Sequence, residues 1–212
     1  MRRPPPLYAI ADGEALGRLG IGLAEGARRM AEAGARWVQL RGKRLSSRDL
    51  FDAACEAVRA LRPLGVAVIV NDRADVALCA GADGVHLGQD DLSPVDARRI
   101  LGPDALIGLS THTLRQALRA RAFPLDYVAV GPLFATSTKV APDPVVPVEA
   151  LAALRGALAL PLVGIGGITR ERAALVLARG CDSVAIVSDL LREGDPGAGV
   201  RAVLAALGRA AG

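Results

Sequence analysis

Aromatic side chains are scarce in this 212-residue chain, at 3% of the composition, while hydrophobic residues reach 51%. That balance excludes a surface that stacks bases and calls for a core of Ala, Val and Leu. The three cysteines, Cys55, Cys79 and Cys181, are too few and too far apart for a disulfide framework, and neither a CxxC pair nor a Cys/His metal spacing occurs. They read as reduced thiols of a cytoplasmic protein. No apolar run approaches the roughly 18 residues of a membrane span. The opening M-R-R-P-P-P lacks the apolar stretch of a secretory signal. Residues 1–6 are expected to form a flexible extension of a single domain spanning 1–212. G-x-G-x-x-G is missing after the first apolar run, and H-E-x-x-H and a nucleophile elbow are missing throughout, which argues against dinucleotide, zinc-protease and esterase chemistry. The net charge is +4, yet Arg28, Arg59, Arg98, Arg119 and Arg172 are scattered and form no basic stripe. Nucleic acid is therefore not an expected partner, whereas small phosphorylated ligands suit the mild positive excess.

Eight short apolar runs are present: Leu7–Ala11, Trp37–Leu40, Ala67–Val70, Gly84–Leu87, Ala105–Leu109, Tyr127–Val130, Leu162–Ile165 and Ser183–Val187. They do not alternate, as befits parallel strands covered by helices. Amphipathic segments lie between them: Glu25–Ala33, Ser47–Leu61, Ala74–Ala80, a helix opened by Ser93-Pro94, Thr113–Arg121, Val148–Leu154, Arg170–Ala178 and Gly199–Leu207. Eight strands alternating with eight helices predict a single (β/α)8 TIM barrel of the α/β class. A doubly wound sheet is the other arrangement, but it advertises its phosphate loop after the first strand. Here the glycine-rich signal comes late.

Polar residues collect where the runs end, as barrel active sites require. V-G-I-G-G-I-T (Val163–Thr169), with V-A-I-V-S ending at Ser188, resembles the phosphate site built after strands seven and eight; it also reads as a tight turn. Asn71-Asp72 and Asp91 follow runs three and four. Two carboxylates there suit Mg²⁺ with substrate oxygens and water, or serve equally as helix and turn caps. Gln39, Arg41 and Lys43 share one parity and face one way. They await an anionic or polar heterocyclic ligand, or Arg41 is tied internally to Asp72 or Asp91. Ser110 and His112 follow run five. His86, within run four, reads as a satisfied core residue. L-F-A-T-S-T-K-V (Leu133–Val140) carries Thr136, Thr138 and Lys139 after Gly131-Pro132, as an anion-gripping loop. Two anion clusters, a metal pair and little acid–base machinery suit departure of a diphosphate.

These motifs stand in the order V-Q-L-R-G-K, V-N-D-R-A-D-V-A-L, A-D-G-V-H-L-G-Q-D-D-L, I-G-L-S-T-H, D-Y-V-A-V-G-P-L-F-A-T-S-T-K, V-G-I-G-G-I-T and V-A-I-V-S. The series resembles that of the thiamine phosphate synthase family from about Leu7 to about Leu190. The resemblance implies a transferase that joins a hydroxymethylpyrimidine diphosphate to a thiazole phosphate, giving thiamine phosphate and diphosphate. By the same resemblance, Gln39, Arg41, Lys43 and Asn71 hold the pyrimidine diphosphate, Asp72 and Asp91 hold Mg²⁺, and Ser110 and Lys139 grip the diphosphate. Thr136, Thr138, Gly167, Val187 and Ser188 bind the thiazole phosphate. Arg41, Lys43, Lys139 and Ser110 are the residues expected to act on the leaving group. A homo-oligomer is compatible with the family. The chain departs from the family pattern at Ala11, at Gln116 and at Asp189, which brings an acid next to the phosphate turn. A thiazole tautomerase of the same superfamily, using His112 as acid or base, is the rival reading; a barrel that only binds a phosphorylated metabolite is another.

Overall fold

A computed structural model describes residues 3–135 and 144–210. Thr136, Thr138 and Lys139 lie outside the described residues. The strands are β1 (Leu7–Asp12), β2 (Trp37–Arg41), β3 (Ala67–Asn71), β4 (Gly84–Leu87), β5 (Leu106–Thr111), β6 (Tyr127–Val130), β7 (Leu162–Ile165) and β8 (Ser183–Ile186). All pair in parallel with their sequence neighbours, and β1 also pairs with β8, closing an eight-stranded barrel. Three of the strands coincide with their apolar runs. Others run one or two residues further, because polar ends still find partners in register: Asp12 opposite Arg41, Asn71 opposite His86, Thr111 opposite Val130.

The helices are α1 (Gly13–Gly17), α2 (Leu23–Glu32), α3 (Ser47–Leu61), α4 (Ala74–Ala80), α5 (Pro94–Leu101), α6 (Leu114–Arg119), α7 (Ala150–Ala157), α8 (Arg170–Ala178) and α9 (Pro196–Ala210). The first, not anticipated from sequence, is short and is capped by Asp12, whose side chain accepts from Ala15 N–H at 2.9 Å. The helix expected at Thr113–Arg121 tightens into a 3₁₀ turn over Ala120–Ala122. The cap of α3 is Ser46, one residue ahead of the expected segment Ser47–Leu61. Its hydroxyl accepts from Asp49 N–H at 3.1 Å and donates to the Asp49 carboxylate at 2.7 Å. Ser93 and Asp96 repeat that reciprocal cap on α5 at 3.1 and 2.6 Å. Among the described residues no helix is long and apolar enough to cross a membrane.

Two cores result from the period-two alternation of the strands. One is aliphatic and lies between the sheet and the helices, with Val38, Leu40, Val68, Val85, Ile107, Val128 and Val184 pointing outward from the barrel. The other fills the barrel itself and is not aliphatic throughout, contrary to expectation: Trp37, Tyr8 and Tyr127 meet there with Ile10, Ile69, Leu106 and Val163. The chain's one tryptophan and both tyrosines are thus spent on the barrel axis. Their rings meet edge-on or tilted, with centroids 5.4–5.8 Å apart. Room for the Tyr127 ring depends on Gly108 opposite it, where an added Cβ would lie 2.0 Å from the ring.

The foot of the barrel carries one device three times. Asp83 N–H donates to Val68 carbonyl, and the Asp83 carboxylate accepts from Val68 N–H, at 2.8 and 2.9 Å. Asp126 clasps Ile107 in the same way at 2.8 and 2.9 Å, and Asp182 clasps Leu162 at 2.8 Å on both sides. The corresponding position before β2 is Arg36. The segment before β1, expected to be free, is tied down where it is described: Pro4 is buried and Pro6 carbonyl accepts from Val184 N–H at 2.9 Å.

Candidate active site

Strand parity decides what faces the barrel axis. Tyr8 and Asp12, Trp37, Gln39 and Arg41, Asn71, His86, Ser110, and Val187 all share the inward parity of their strands, and most of their polar atoms sit toward the C-terminal ends. This is the mouth, where barrel enzymes work.

On one wall, Gln39 is buried and donates from Nε2 to Tyr8 hydroxyl at 2.9 Å. One turn of the pleat further, Arg41 pairs with the Asp12 carboxylate. The internal partner considered for Arg41 was Asp72 or Asp91. The register puts Asp12 directly beside Arg41 on the neighbouring strand, so Asp12 takes that place. Lys43, past the end of β2 and half exposed, lies 3.3 Å from the Asp72 carboxylate instead.

Asp72 follows β3 with φ at 65°, the one positive value among described residues other than glycine. Its N–H donates to His86 carbonyl at 2.8 Å, which holds this uncommon backbone in place. The turn swings the carboxylate toward the β4 loop and rules out Asp72 as cap of α4; Arg73 stands at that position with no side-chain cap bond. Asp91 comes within hydrogen-bond reach of Asp72. Burial and the Asp91 carboxylate raise the Asp72 pKa, and Lys43 only partly opposes them. Asp91 also accepts from Gly88 N–H at 2.7 Å, which folds the β4 loop back over the strand end. Two facing carboxylates, one of them paired with an ammonium, are a donor set that fits Mg²⁺, which needs few protein ligands when substrate supplies the rest. Among the described residues no cluster of three or more acidic, His or Cys side chains is present.

The far side of this wall is His86. It is buried, with Nδ1 2.9 Å from Tyr127 hydroxyl and Nε2 2.8 Å from Ser110 hydroxyl. Burial lowers its pKa to about 4, so the ring is neutral near pH 7. The reading of His86 as a satisfied interior residue holds. His112 lies beyond β5, its Nδ1 2.9 Å from Gly131 carbonyl and its N–H bonded to Gln116 Oε1 at 2.7 Å. Gln89 reaches across to Ser110 carbonyl at 2.6 Å and joins the β4 and β5 loops.

Opposite, after β7, Gly166 and Gly167 both have positive φ, at 91° and 63°. The space beside them is already taken: a Cβ on Gly166 would meet Pro132 at 2.5 Å, and one on Gly167 would meet Ala135 carbonyl at 2.5 Å. The glycines are therefore required both by backbone conformation and by the loop leaving β6, which hydrogen-bonds to them through Phe134 N–H and Gly166 carbonyl at 3.0 Å. Val187 and Ser188 follow β8, and Ser188 opens a 3₁₀ turn (Ser188–Leu191). Asp189 does not confront the phosphate turn with a bare charge. Its buried carboxylate accepts from Arg170 N–H at 3.1 Å and Arg170 Nε at 3.0 Å, locking this turn to the start of α8. Gly167 and Ser188 are thus held at adjacent strand ends.

The carboxylate pair, Arg41, Lys43 and Ser110 line one half of the mouth, and the glycine turn with Ser188 lines the other. Asp12, Tyr8 and Tyr127 were missed from sequence. Their signal was available in parity: each is a polar group on the inward face of an otherwise apolar run.

Known proteins align with this arrangement. Residues 7–190 match the family model described as thiamine monophosphate synthase. The chain is 46% identical over 190 residues to the thiamine-phosphate synthase of Koribacter versatilis, covering 88% of this chain and 89% of that one. It is 47% identical over 197 residues to the thiamine-phosphate synthase of Methanoculleus marisnigri, covering 93% and 92%. The solved thiamine phosphate pyrophosphorylase of Pyrococcus furiosus superposes with a TM-score of 0.85 at 30% identity, covering 97% of this chain and 96% of that one. The chain belongs to the thiamine monophosphate synthase family, and its activity is that of a thiamine phosphate synthase, a transferase.

Proposed function

We propose that the two substrates are a hydroxymethylpyrimidine diphosphate and a thiazole phosphate, joined by departure of diphosphate ahead of carbon–nitrogen bond formation. The observation that carries this reading is the Asp72–Asp91 pair beside Lys43, with Arg41 and Ser110 at the neighbouring strand ends. Gln39 and Asn71 orient the pyrimidine. Its methylene C–O bond breaks, the electron pair leaves with the diphosphate, and the aminopyrimidine ring stabilises the cation left behind. The thiazole nitrogen lone pair then forms the new C–N bond.

Mg²⁺ held by Asp72 and Asp91 would supply Lewis-acid neutralisation of the diphosphate. The chain's own cations act with it: Arg41 and Lys43 face the developing negative charge, and Ser110 donates a hydrogen bond to it. Lys139 is assigned the same role. Gly167, Val187 and Ser188, with Thr136 and Thr138, hold the thiazole phosphate so that its nitrogen faces the breaking bond. Holding two reactants in line makes a protein nucleophile unnecessary.

The test mixes both substrates with Mg²⁺ and detects thiamine phosphate by the fluorescence of its oxidised form. Product that requires both substrates and the metal is the expected result. Isomerisation of a thiazole carboxylate phosphate without any condensation product would overturn the reading in favour of a tautomerase.

A further inference from the structure

A continuous hydrogen-bonded chain crosses the inside of the barrel. It runs from Gln39 on β2 to Tyr8 on β1, across the axis to Tyr127 on β6, to His86 on β4, and ends at Ser110 on β5. The four links measure 2.9, 3.0, 2.9 and 2.8 Å. Every inner member is buried, so no water competes for its protons. Its two ends are residues already assigned to the pyrimidine diphosphate, and its three inner members, Tyr8, Tyr127 and His86, have no part in that assignment.

Counting protons gives the chain a direction. Gln39 Nε2 has only hydrogens to give, so Tyr8 oxygen accepts from it and the single Tyr8 proton goes to Tyr127. Tyr127 then gives its own proton to His86 Nδ1. A neutral imidazole with an accepting Nδ1 carries its hydrogen on Nε2, and that hydrogen goes to Ser110 oxygen. Ser110 has its acceptor side occupied and its own proton left over. We infer that Tyr8, Tyr127 and His86 are positioning residues that fix Ser110 as a hydrogen-bond donor to an anionic group in the mouth; that the anion is the departing diphosphate rests on the proposed function.

The alternative is mechanically distinct. Were the Gln39 amide turned over, Tyr8 would donate to its oxygen and every proton would reverse. His86 would carry hydrogen on Nδ1, and Ser110 would spend its proton on Nε2 and present only lone pairs to an anion. Fully buried phenols strengthen whichever polarity holds, since burial pushes both tyrosine hydroxyls well above their ordinary pKa and removes ionised alternatives.

The experiment reads the tautomer directly. The chain has two histidines, so long-range ¹⁵N–¹H spectra of labelled protein, with His112→Asn to assign the peaks, report His86 alone. Hydrogen on Nε2 is the expected result, without substrates; hydrogen on Nδ1, or a charged ring at neutral pH, overturns the inference. The kinetic arm uses Tyr127→Phe, which keeps the ring and deletes the donor to Nδ1. We expect kcat to fall by about ten- to a hundredfold, the range for losing a hydrogen bond to a charged group, with KM for the thiazole phosphate unchanged. In a Ser110→Ala background the same substitution should add less than about twofold, because residues in one network do not act additively. Effects that multiply would mean a merely structural role for Tyr127. Should Tyr127→Phe not fold, Tyr8→Phe interrupts the chain one link earlier and is judged by the same comparison. The tautomer stands or falls without turnover, so failure of the proposed substrates is distinguishable from failure of this assignment.

Discussion

Asp12 holds two groups at once: one carboxylate oxygen pairs with the Arg41 guanidinium, and the other accepts Ala15 N–H at 2.9 Å. Its side chain is 4% exposed against 23% for Arg41. The acid is therefore the fixed member, and it aims the arginine at the mouth. Asp12→Asn keeps an oxygen for Ala15 and deletes the charge; Asp12→Ala deletes both. Both should lower kcat/KM at least about tenfold, the scale of one lost charge-assisted bond. Asp12→Ala should cost a further ~1 kcal/mol of stability, the usual value of an N-cap. Kinetics and calorimetry on the two variants check this, and wild-type kcat/KM in Asp12→Asn would count against Asp12 as the residue that aims Arg41.

As the proposed Mg²⁺ ligands, Asp72 and Asp91 should make turnover depend on metal. EDTA should abolish activity and Mg²⁺ should restore it. Asp91→Ala should reduce turnover strongly and leave thiazole phosphate binding nearly intact, as titration calorimetry would show. Burial and Asp91 raise the Asp72 pKa, so protons and Mg²⁺ compete there as pH falls. The Mg²⁺ concentration for half-maximal rate should rise on acidification. Full activity in metal-free protein would end this assignment.

His112 has no proton to move in a diphosphate displacement, and its Nδ1 already lies 2.9 Å from Gly131 carbonyl. His112→Asn should therefore lose less than about tenfold in thiamine phosphate formation, below the roughly 10²–10⁴-fold of a general acid or base. Arg41→Ala and Asp72→Ala should each lose far more. If His112→Asn were the most damaging of the three, the tautomerase would be the better description.

His86 ties stability to pH. Its pKa is lowered from 6.5 to about 4 in the folded protein. On acidification the unfolded chain takes up the proton first, so the neutral buried ring favours folding fully above about pH 6.5. That contribution drains away as pH falls to about 4. The difference is on the order of 3 kcal/mol, from about 1.4 kcal/mol per pKa unit. Denaturant unfolding of wild type and His86→Gln between pH 7 and pH 4 checks it: the gap between them should narrow on acidification, and a constant gap would contradict the assignment.

Much of the barrel was legible because its strands are unbroken apolar runs: Gly84–Leu87, Tyr127–Val130 and Leu162–Ile165 appear unchanged as strands. Strand ends were less legible. Asn71 and Thr111 look like loop residues alone and become strand residues only beside His86 and Val130. The first helix stayed hidden because five residues offer no periodicity and its cap, Asp12, is also a strand end. Parity put Gln39 and Arg41 on the inward face of β2, while Lys43, read with them, lies past the end of that strand. What parity did not reveal is who pairs with whom, since that depends on register: Arg41 meets Asp12, 29 residues away, and Tyr8 meets Tyr127, 119 residues away. The anion loop with Thr136, Thr138 and Lys139 rests on sequence alone.

The three aspartate clasps at the foot, Asp83, Asp126 and Asp182, lie at the opposite end of the strands from the described residues proposed to meet substrate. Durability and chemistry are thereby written into separate ends of the same eight strands. Asp126 shows the division: besides Ile107 N–H it accepts from Arg98 at 2.7 Å, and Arg98 in turn binds the carbonyls of Gly102, Pro103, Ala105 and Pro124. Changes in that cluster should alter how long the barrel survives heating while the mouth keeps its shape, which makes the foot the place to harden or soften this protein without retuning its substrates.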